Sequence, residues 1–294
     1  MILIAGATGH LGPTLVELLT SRGERIRVLT RDPARARRLF AKDVELVTGD
    51  VCNPSSLTPA LAGVETVVSA VTGFGPGGGG PRAVDLQGNE NLIAAAEAAD
   101  AKHFVLVSIH RARADHPLEL YRAKFLAEER LRKSRLDWTI IRPAAFMELW
   151  AGIVGDSITK SGKATVFGRG DNPINLVSVR DVARFVELAI VDPRLRGMAL
   201  DLGGPENLTL NNVVEIFAAN GGRHAAARHI PLMAMRVGSL LMRPFKPDLA
   251  RLIQAAALMD TADMSLDSGE LTARHPEIRL TYLADVVRDR HAAA

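Results

Sequence analysis

The chain has 294 residues, of which 47% are hydrophobic and 23% charged, and its formal net charge is +3. This length suits one large domain, or a domain with a smaller appended lobe, and the composition excludes disordered, collagen-like and disulfide-rich proteins. Because the positive surplus is so small, we expect no nucleic-acid partner.

The sequence gives no sign of export. It has no basic segment before its apolar first residues, no apolar run of about 18 residues, and a single cysteine, Cys52, which has no second cysteine to pair with. A lone cysteine is typical of a reducing compartment. We therefore expect a cytoplasmic protein without membrane insertion.

The first 145 residues alternate short, β-branched apolar segments with longer segments of helical spacing. The short segments are typical of buried parallel strands. Their alternation with helices predicts βαβ units, and hence an α/β fold with a doubly wound parallel sheet, the Rossmann fold. The predicted strands are Ile2–Ala5, Ile26–Thr30, Val44–Val47, Thr66–Val71, Phe104–Val107 and Trp138–Ile141. The predicted helices are Leu11–Ser21, Pro33–Phe40, Ser55–Leu61, Ala83–Ala99 and Leu118–Ser134.

A glycine-rich turn joins the first predicted strand to the first predicted helix. Its residues are Gly6, Ala7, Thr8, Gly9, His10, Leu11 and Gly12. Glycines at such a turn let backbone N–H groups approach a pyrophosphate, whose negative charge the helix N-terminus favours. A glycine fingerprint is informative when a strand precedes it and a helix follows it, as here. The turn therefore predicts a bound dinucleotide.

Regular alternation weakens in the second half of the chain. Met198–Leu202 is predicted to be another strand, at the edge of the sheet. The sequence thus predicts a dinucleotide-binding domain over residues 1–150, and a part over residues 151–294 that completes the sheet and forms a smaller substrate lobe. The methionine-rich segment from Pro231 to Met242 suits a pocket lid, a protein interface or core packing.

The order of the motifs along the chain resembles that of the extended and atypical short-chain dehydrogenase/reductases, especially the NmrA-like branch. The resemblance extends from residue 1 to about residue 220. The matching segments are Gly6–Gly12, Gly49–Val51, Val84–Asn89, Phe104–Ser108, Lys124 with Glu128, Ile140–Pro143, Val177–Ala183 and Gly203–Glu206.

The resemblance implies where a dinucleotide lies along the sheet. An acidic residue after the third strand contacts adenine in the family, the chain after the fourth strand passes beneath the ribose and phosphates, and residues after the sixth strand contact the nicotinamide. The matching positions are Asp50, Val51, Ala70, Val71, Thr72, Pro143 and Phe146. The glycine-rich segment Gly73–Pro81 is either a flap over the cofactor or a surface loop. Phe146, Met147 and Trp150 either line a substrate pocket or pack in the core.

The residues after the second predicted strand bear on the choice of dinucleotide. An acidic residue about 20 positions after the glycines bonds the ribose 2′-hydroxyl of NAD. Arg31 lies 19 residues after Gly12, where a guanidinium can bind a 2′-phosphate. Arg35, with Arg37 and Arg38, adds positive charge there or lines a solvated helix face, while Asp32 would favour NAD if it faced the ribose. We predict NADP(H) in preference to NAD(H).

The catalytic residues depart from the orthodox pattern, which is Tyr-x-x-x-Lys with a serine or threonine after the fifth strand. In that pattern the lysine binds the nicotinamide ribose and lowers the tyrosine pKa, and the phenol transfers the proton. Lys124 matches the lysine, but Leu120 occupies the tyrosine position and Tyr121 follows it. On a helix Tyr121 is about 60° to one side of Lys124 and Leu120 about 40° to the other. Ser108 matches the serine, and His110 is a nearby polar alternative.

Two functions fit this pattern. The first is an NADPH-dependent oxidoreductase that transfers a hydride to a small apolar carbonyl, enone or quinone. A quinone suits the altered site because its reduced anion can take a proton from water. The second is a non-catalytic NADP(H)-binding redox sensor, regulator or assembly protein of the NmrA type. No spacing typical of metal ligands occurs, and the protein is expected to be a monomer or a homodimer.

Overall fold

The computed structural model describes residues 1–75, 77–221 and 226–292. The chain divides into two compact units, the first formed by Met1–Pro143 with Val182–Asp201 and the second by Ala144–Asp181 with Leu202–Ala294. The division at residue 150 and the substrate-binding role of residues 151–294 stay predictions.

The first unit is built on a seven-stranded sheet, with elements numbered in chain order. The strands are β1 (Ile2–Ala5), β2 (Ile26–Thr30), β3 (Glu45–Thr48), β4 (Thr66–Ser69), β5 (His103–Val107), β6 (Asp137–Pro143) and β10 (Met198–Leu202). Their spatial order is β10-β6-β5-β4-β1-β2-β3, and the pairs from β3 to β6 are parallel. The predicted doubly wound sheet is confirmed, with β10 at its edge as expected.

The strand order reverses direction between β1 and β4, which are neighbours although β2 and β3 separate them in the chain. In open α/β sheets such a switch point leaves a crevice at the carboxyl ends of the strands, where ligands bind. The glycine-rich turn after β1 therefore lies at the switch point, beside the end of β4.

Helices connect the strands of this sheet. They are α1 (Gly12–Ser21), α2 (Pro33–Leu39), α3 (Leu57–Ala60), α4 (Asn89–Ala98), α5 (Glu119–Arg132) and α7 (Val179–Val191), the last of which contains residues of both units. Apolar side chains between the sheet and its helices form a core in which Leu3, Phe104, Leu92 and Leu131 are fully buried.

The bounds of several predicted elements differ from those observed by one or two residues, and three differences have a local cause. The strand predicted over Thr66–Val71 ends at Ser69, because β1 turns away at Gly6 and β4 loses its partner on that side. The helix predicted over Ser55–Leu61 forms only a 3₁₀ turn and the short α3, since Pro59 lacks an N–H group.

The third difference is a π-helical segment, Arg82–Gly88, at the start of the helix predicted over Ala83–Ala99. The side-chain amide of Asn89 donates a hydrogen bond of 2.7 Å to the carbonyl of Asp85. That carbonyl would otherwise accept the backbone N–H of Asn89, so the amide competes with the α-helical pattern. The α-helical pattern begins at Asn89.

The second unit combines two small sheets with six helices among the described residues. Its strands are β7 (Ala145–Phe146), β8 (Lys163–Phe167), β9 (Ile174–Val177), β11 (Asn207–Leu208) and β12 (Ala226–Ile230). They pair as β11-β9-β7 and as β12-β8. The helices are α6 (Met147–Ser161), α8 (Leu210–Gly221), α9 (Leu232–Met242), α10 (Pro247–Met259), α11 (Gly269–Arg274) and α12 (Leu283–Ala292). Within the described ranges, no helix is long and apolar enough to span a bilayer.

Candidate functional site

The glycine-rich turn needs two of its glycines for packing. Gly6 has a φ of +89°, and a Cβ there would lie 2.5 Å from the backbone carbonyl carbon and oxygen of Ala70, just after β4. A Cβ on Gly12 would lie 1.8 Å from the carbonyl oxygen of Ala7. These positions let β4 and α1 approach the turn closely, which a side chain would prevent.

Gly9 has a different environment. A Cβ built there meets only the carbonyl oxygen of Gly6 within 4 Å, at 3.3 Å, and the residue is exposed. Among its neighbours, His10 is exposed and Thr8 half-buried, whereas Ala7 and Leu11 are buried. The absence of a side chain at Gly9 therefore leaves open space at the start of α1, where a pyrophosphate can approach the backbone. The turn fits a dinucleotide.

The arginines after β2 lie beside this turn. Arg35 Nη2 donates a hydrogen bond of 3.3 Å to the carbonyl oxygen of Thr8, so the guanidinium contacts the glycine-rich turn itself. Arg31 is exposed. Asp32 caps α2 by accepting the backbone N–H of Arg35 at 2.9 Å. Its carboxylate is thus engaged in holding the helix start.

Asp50 and Val51 follow β3 as predicted. The Asp50 carboxylate accepts the backbone N–H of Cys52 at 2.9 Å, and Val51 is buried. Burial and the neighbouring Asp50 raise the pKa of the Cys52 thiol, while the positive charge of Arg31 lowers it. Because Thr30 pairs with Thr48 in the parallel ladder of β2 and β3, Arg31 and Asp50 follow neighbouring strand ends.

The segment after β4 folds back on itself. The backbone N–H of Ala70 donates to the carbonyl oxygen of Ala5 at 2.8 Å. The hydroxyl of exposed Thr72 accepts the backbone N–H of Phe74 at 3.2 Å. Further on, Gly80 donates to the carbonyl of Gly73 at 3.1 Å. A Cβ on Gly73 would lie 2.2 Å from the Gly80 oxygen, so this part of the glycine-rich loop requires a small residue. Its Pro76 lies outside the described residues.

Lys124 lies on α5 with its ammonium group buried between strand ends. Nζ donates to the carbonyl oxygens of Val71 at 2.8 Å and Val107 at 3.0 Å, and lies 3.2 Å from Asp85 Oδ1. The carboxylate of Asp85, fully buried in the π-helical segment, also accepts the N–H of Gly73 at 2.8 Å. Two N–H groups of the ammonium thus donate to carbonyl oxygens, while Asp85 supplies a counter-charge whose Oδ1 accepts no hydrogen bond among the described residues.

Tyr121 is buried on the same helix and stacks on His116, with ring centroids 3.8 Å apart and planes 15° from parallel. Burial raises the pKa of Tyr121 to about 12, against a smaller lowering by Arg111. Burial also lowers the pKa of His116. Tyr121 therefore keeps its proton over the ordinary pH range, and its ring packs within the first unit.

Ser108 belongs to a buried polar network. Its hydroxyl donates to Glu128 Oε1 at 2.5 Å, and the carboxylate of Glu128, fully buried on α5, also accepts the guanidinium of Arg142 on β6 at 2.5 Å and that of Arg132 at 3.1 Å. The hydrogen bond to Glu128, partly opposed by desolvation, raises the pKa of Arg142. Ser108, Glu128 and Arg142 together fasten β5, α5 and β6 to one another.

His110 follows β5 and is paired with a carboxylate at the end of β10. Its Nδ1 lies 2.8 Å from Asp201 Oδ1, and its backbone N–H donates to the carbonyl of Pro143 at 2.9 Å. The imidazole is 17% exposed. A carboxylate that accepts the Nδ1 proton fixes the tautomer and the ring orientation, and leaves Nε2 to exchange protons.

The predicted residues thus fall into two groups. Those of the first unit lie at or after the carboxyl ends of β1 to β6, apart from Tyr121 and Lys124 on α5, whereas Phe146 lies in the second unit, half-buried in β7. The sequence did not reveal the partners Asp85 and Asp201. The available signal for Asp85 was that it is an acidic residue within the otherwise apolar segment Ala83–Leu86. No comparable signal in the sequence marked Asp201. The described residues hold no group of three or more potential metal ligands.

Comparison with known proteins identifies the family. A family model described as NAD(P)H-binding matches residues 6–193, well over half of the chain. The chain belongs to this NAD(P)H-binding family. Its predicted place in the NmrA-like, atypical branch of the short-chain dehydrogenase/reductases is confirmed, and it shares the Rossmann-type fold of NAD(P)-binding oxidoreductases.

Proteins similar to this chain are named for different functions. The chain is 30% identical to an NAD(P)H azoreductase of Xenophilus azovorans, over 76% of this chain and 74% of that protein. It is 29% identical to the photosystem II assembly factor Ycf39 of a Synechocystis species, over 80% and 72%. The fold matches an NADPH complex of the Escherichia coli quinone oxidoreductase QOR2, with a TM-score of 0.79, 23% identity and coverage of 98% of both chains.

Proposed function

We propose that the protein is an NADPH-dependent oxidoreductase that transfers a hydride to a small apolar carbonyl, enone or quinone. The observation that carries the proposal is the open backbone at Gly9, at the start of α1 and at the switch point of the sheet. When bound, a reduced nicotinamide supplies the hydride. An azoreductase among the relatives and quinone oxidoreductase among the structural neighbours favour substrates that accept a hydride readily.

Preference for NADP(H) is supported by the residues after β2. The Arg35 guanidinium lies against Thr8, and Arg31 is exposed beside the end of β3. We propose that both offer charge-assisted hydrogen bonds to a 2′-phosphate. Oδ1 of Asp32 caps α2, which makes the carboxylate less available to the 2′-hydroxyl that an acidic residue binds in NAD sites. Asp50, Val51, Ala70 to Thr72, Pro143 and Phe146 are proposed as the remaining cofactor contacts.

We assign the donation of a proton to the reduced substrate to His110 rather than to Tyr121. The phenol of Tyr121 has a pKa of about 12 and stacks on His116, so its anion is strongly disfavoured. The imidazole of His110 is partly accessible and is oriented by Asp201. Ser108 and Lys124, predicted as catalytic residues, are proposed to hold the strand ends in place through Glu128 and Asp85. A substrate-binding role for residues 151–294 completes the proposal.

The test measures cofactor binding and turnover separately. Thermal shift with NADPH and NADH reports binding, and NADPH oxidation with a panel of quinones and enones reports turnover. Arg31→Ala and Arg35→Ala should each lower NADPH affinity about tenfold or more and leave NADH affinity within about twofold, since each removes one charged hydrogen bond. Arg37→Ala is the matched control on the same helix. Equal losses for the two nucleotides would refute the 2′-phosphate assignment.

A second function is favoured by the contacts of Lys124. Its buried ammonium group already donates to the carbonyl oxygens of Val71 and Val107 and is paired with the charge of Asp85, and Leu120 occupies the orthodox tyrosine position. A protein of this kind can bind NADP(H) without catalysis, as a redox sensor or an assembly protein, and the Ycf39 relatives are named assembly factors. Stabilisation by NADPH with no turnover on the whole panel would favour this second function.

A further inference from the structure

A helical hairpin in the second unit exposes an unusual amount of apolar surface. It consists of α9, the turn 243–246 and α10. Seven of the eleven large hydrophobic side chains that are exposed among the described residues lie in this hairpin. They are Met233, Val237, Leu240, Leu241, Met242, Phe245 and Leu249. Contiguous exposed apolar surface of this kind marks an interaction site.

Four of the five large apolar side chains exposed on α9 form one stripe, and the fifth, Met242, lies outside it at the end of the helix. At 100° per residue, Met233, Val237, Leu240 and Leu241 lie within about 100° of one another around the helix axis. Met235 and Ser239, on the opposite side, are buried. The stripe continues to Phe245 at the tip of the hairpin, whose ring is 82% exposed. The helix thus has an inner face that packs and an apolar outer face.

The charge along α9 and the turn after it has a single sign. From residue 232 to residue 246 the sequence contains three Arg or Lys residues and no Asp or Glu, although the net charge of the whole chain is only +3. The next acidic residue of the hairpin, Asp248, is already in an ion pair. Arg236 and Arg243 lie on the same flank of the α9 stripe, seven residues apart, and Lys246 follows Phe245 at the tip. Among the described residues, none of these three cations forms an ion pair.

We infer that the hairpin is a peripheral docking surface for an anionic lipid bilayer. Apolar side chains on one face of a helix, flanked by Arg and Lys, enter the boundary between headgroups and acyl chains while the cations bind anionic headgroups. Such a contact needs no helix that spans the bilayer. A second copy of the chain fits this face poorly, because two-fold symmetry would bring both sets of cations together, and the nearest carboxylate in the hairpin sequence, Asp248, is already paired with Arg251.

The test uses the full chain and two kinds of vesicle, phosphatidylcholine alone and phosphatidylcholine mixed with phosphatidylglycerol, in a co-sedimentation assay. The protein should bind the anionic vesicles much more strongly, and salt should weaken the binding. The triple variant Arg236→Gln, Arg243→Gln, Lys246→Gln should bind about a hundredfold more weakly, at about fivefold for each cation. The matched control is Arg25→Gln, Lys102→Gln, Lys133→Gln, which removes three exposed cations elsewhere.

The apolar half of the surface is tested separately. Leu241→Ser with Phe245→Ser should reduce binding at least tenfold, whereas Val191→Ser, an exposed position outside the hairpin, should leave it unchanged. Equal binding to both vesicle types, no binding, or an equal loss in the control triple variant would each overturn the inference. A homodimer in light scattering that the Leu241→Ser and Phe245→Ser changes dissociate, or saturable binding to an acidic protein with none to vesicles, would also overturn it.

Discussion

The glycine-rich turn offers a test in which one substitution separates cofactor binding from folding. We expect Gly9→Ala to abolish most of the nucleotide affinity and to leave the fold intact. The added methyl group meets only the Gly6 carbonyl oxygen, at 3.3 Å, so the turn must give by a few tenths of an ångström. Reduced entropy of the unfolded chain offsets that strain by about 0.4–1 kcal/mol. The free energy of unfolding should therefore change by less than about 1 kcal/mol.

Gly12→Ala is the matched substitution with the opposite expectation. Its methyl group would lie 1.8 Å from the Ala7 carbonyl oxygen, an overlap with backbone that only a movement of α1 away from β1 can relieve. Overpacking of this kind costs about 3 kcal/mol or more. The two variants add the same methyl group three residues apart, and they differ in what that group contacts.

Thermal unfolding with and without NADPH measures both effects. At a nucleotide concentration of about 100 times Kd, the wild-type protein should gain about 2.7 kcal/mol, which raises Tm by roughly 5–10 °C for a chain of this size. If Gly9→Ala weakens affinity about a hundredfold, the gain falls to about 0.4 kcal/mol and the shift to about 1 °C. A full Tm shift in Gly9→Ala, or a loss of Tm without nucleotide equal to that of Gly12→Ala, would refute the reasoning.

Three further predictions concern the first unit. Glu128→Gln should lower the free energy of unfolding by about 2–3 kcal/mol in urea titration, because two guanidinium groups lose a buried partner; an unchanged midpoint would contradict this. Burial lowers the pKa of His103 to about 4. As pH falls, His103 is therefore protonated in the unfolded chain before it is protonated in the folded one. Stability should drop by about 3 kcal/mol between pH 6.5 and 4, and His103→Asn should lack this part of the drop. In kinetics on an active substrate, Tyr121→Phe should keep kcat within about twofold while His110→Phe lowers it about a hundredfold. A larger loss of kcat in Tyr121→Phe than in His110→Phe would instead assign proton donation to the phenol of Tyr121.

The sheet could be predicted from sequence because each of its strands is locally distinctive. Ile2–Ala5 and Ile26–Thr30 are short, apolar and bounded by turns, and both match the structure residue for residue. The glycine-rich turn was predictable for a similar reason, since its glycines lie between a recognisable strand and a recognisable helix. Local patterns of this kind determine which segments form elements, and the right-handed crossover then restricts their order.

The polar partners of the site could not be predicted in the same way. Lys124 is joined to Asp85, and His110 to Asp201, by contacts between residues far apart in the chain. No periodicity links such pairs, because which side chains meet depends on the order of strands in the sheet. The π-helical segment was missed for another reason. It depends on one competing side chain, Asn89, and an asparagine by itself does not reveal in the sequence that its amide will bond to the backbone.

The buried contacts of Lys124 bear on how an orthodox catalytic pair could arise in this chain. Replacing Leu120 by tyrosine would restore the sequence pattern Tyr-x-x-x-Lys, yet the ammonium group would still be held by Asp85, Val71 and Val107. Replacing Asp85 alone would leave a buried cation without its counter-charge, at a substantial cost in stability. Restoring the sequence pattern is therefore not the same as restoring the catalytic pair. The obstacle lies in the buried contacts of the lysine, two of them with the backbone, which no single side-chain replacement removes.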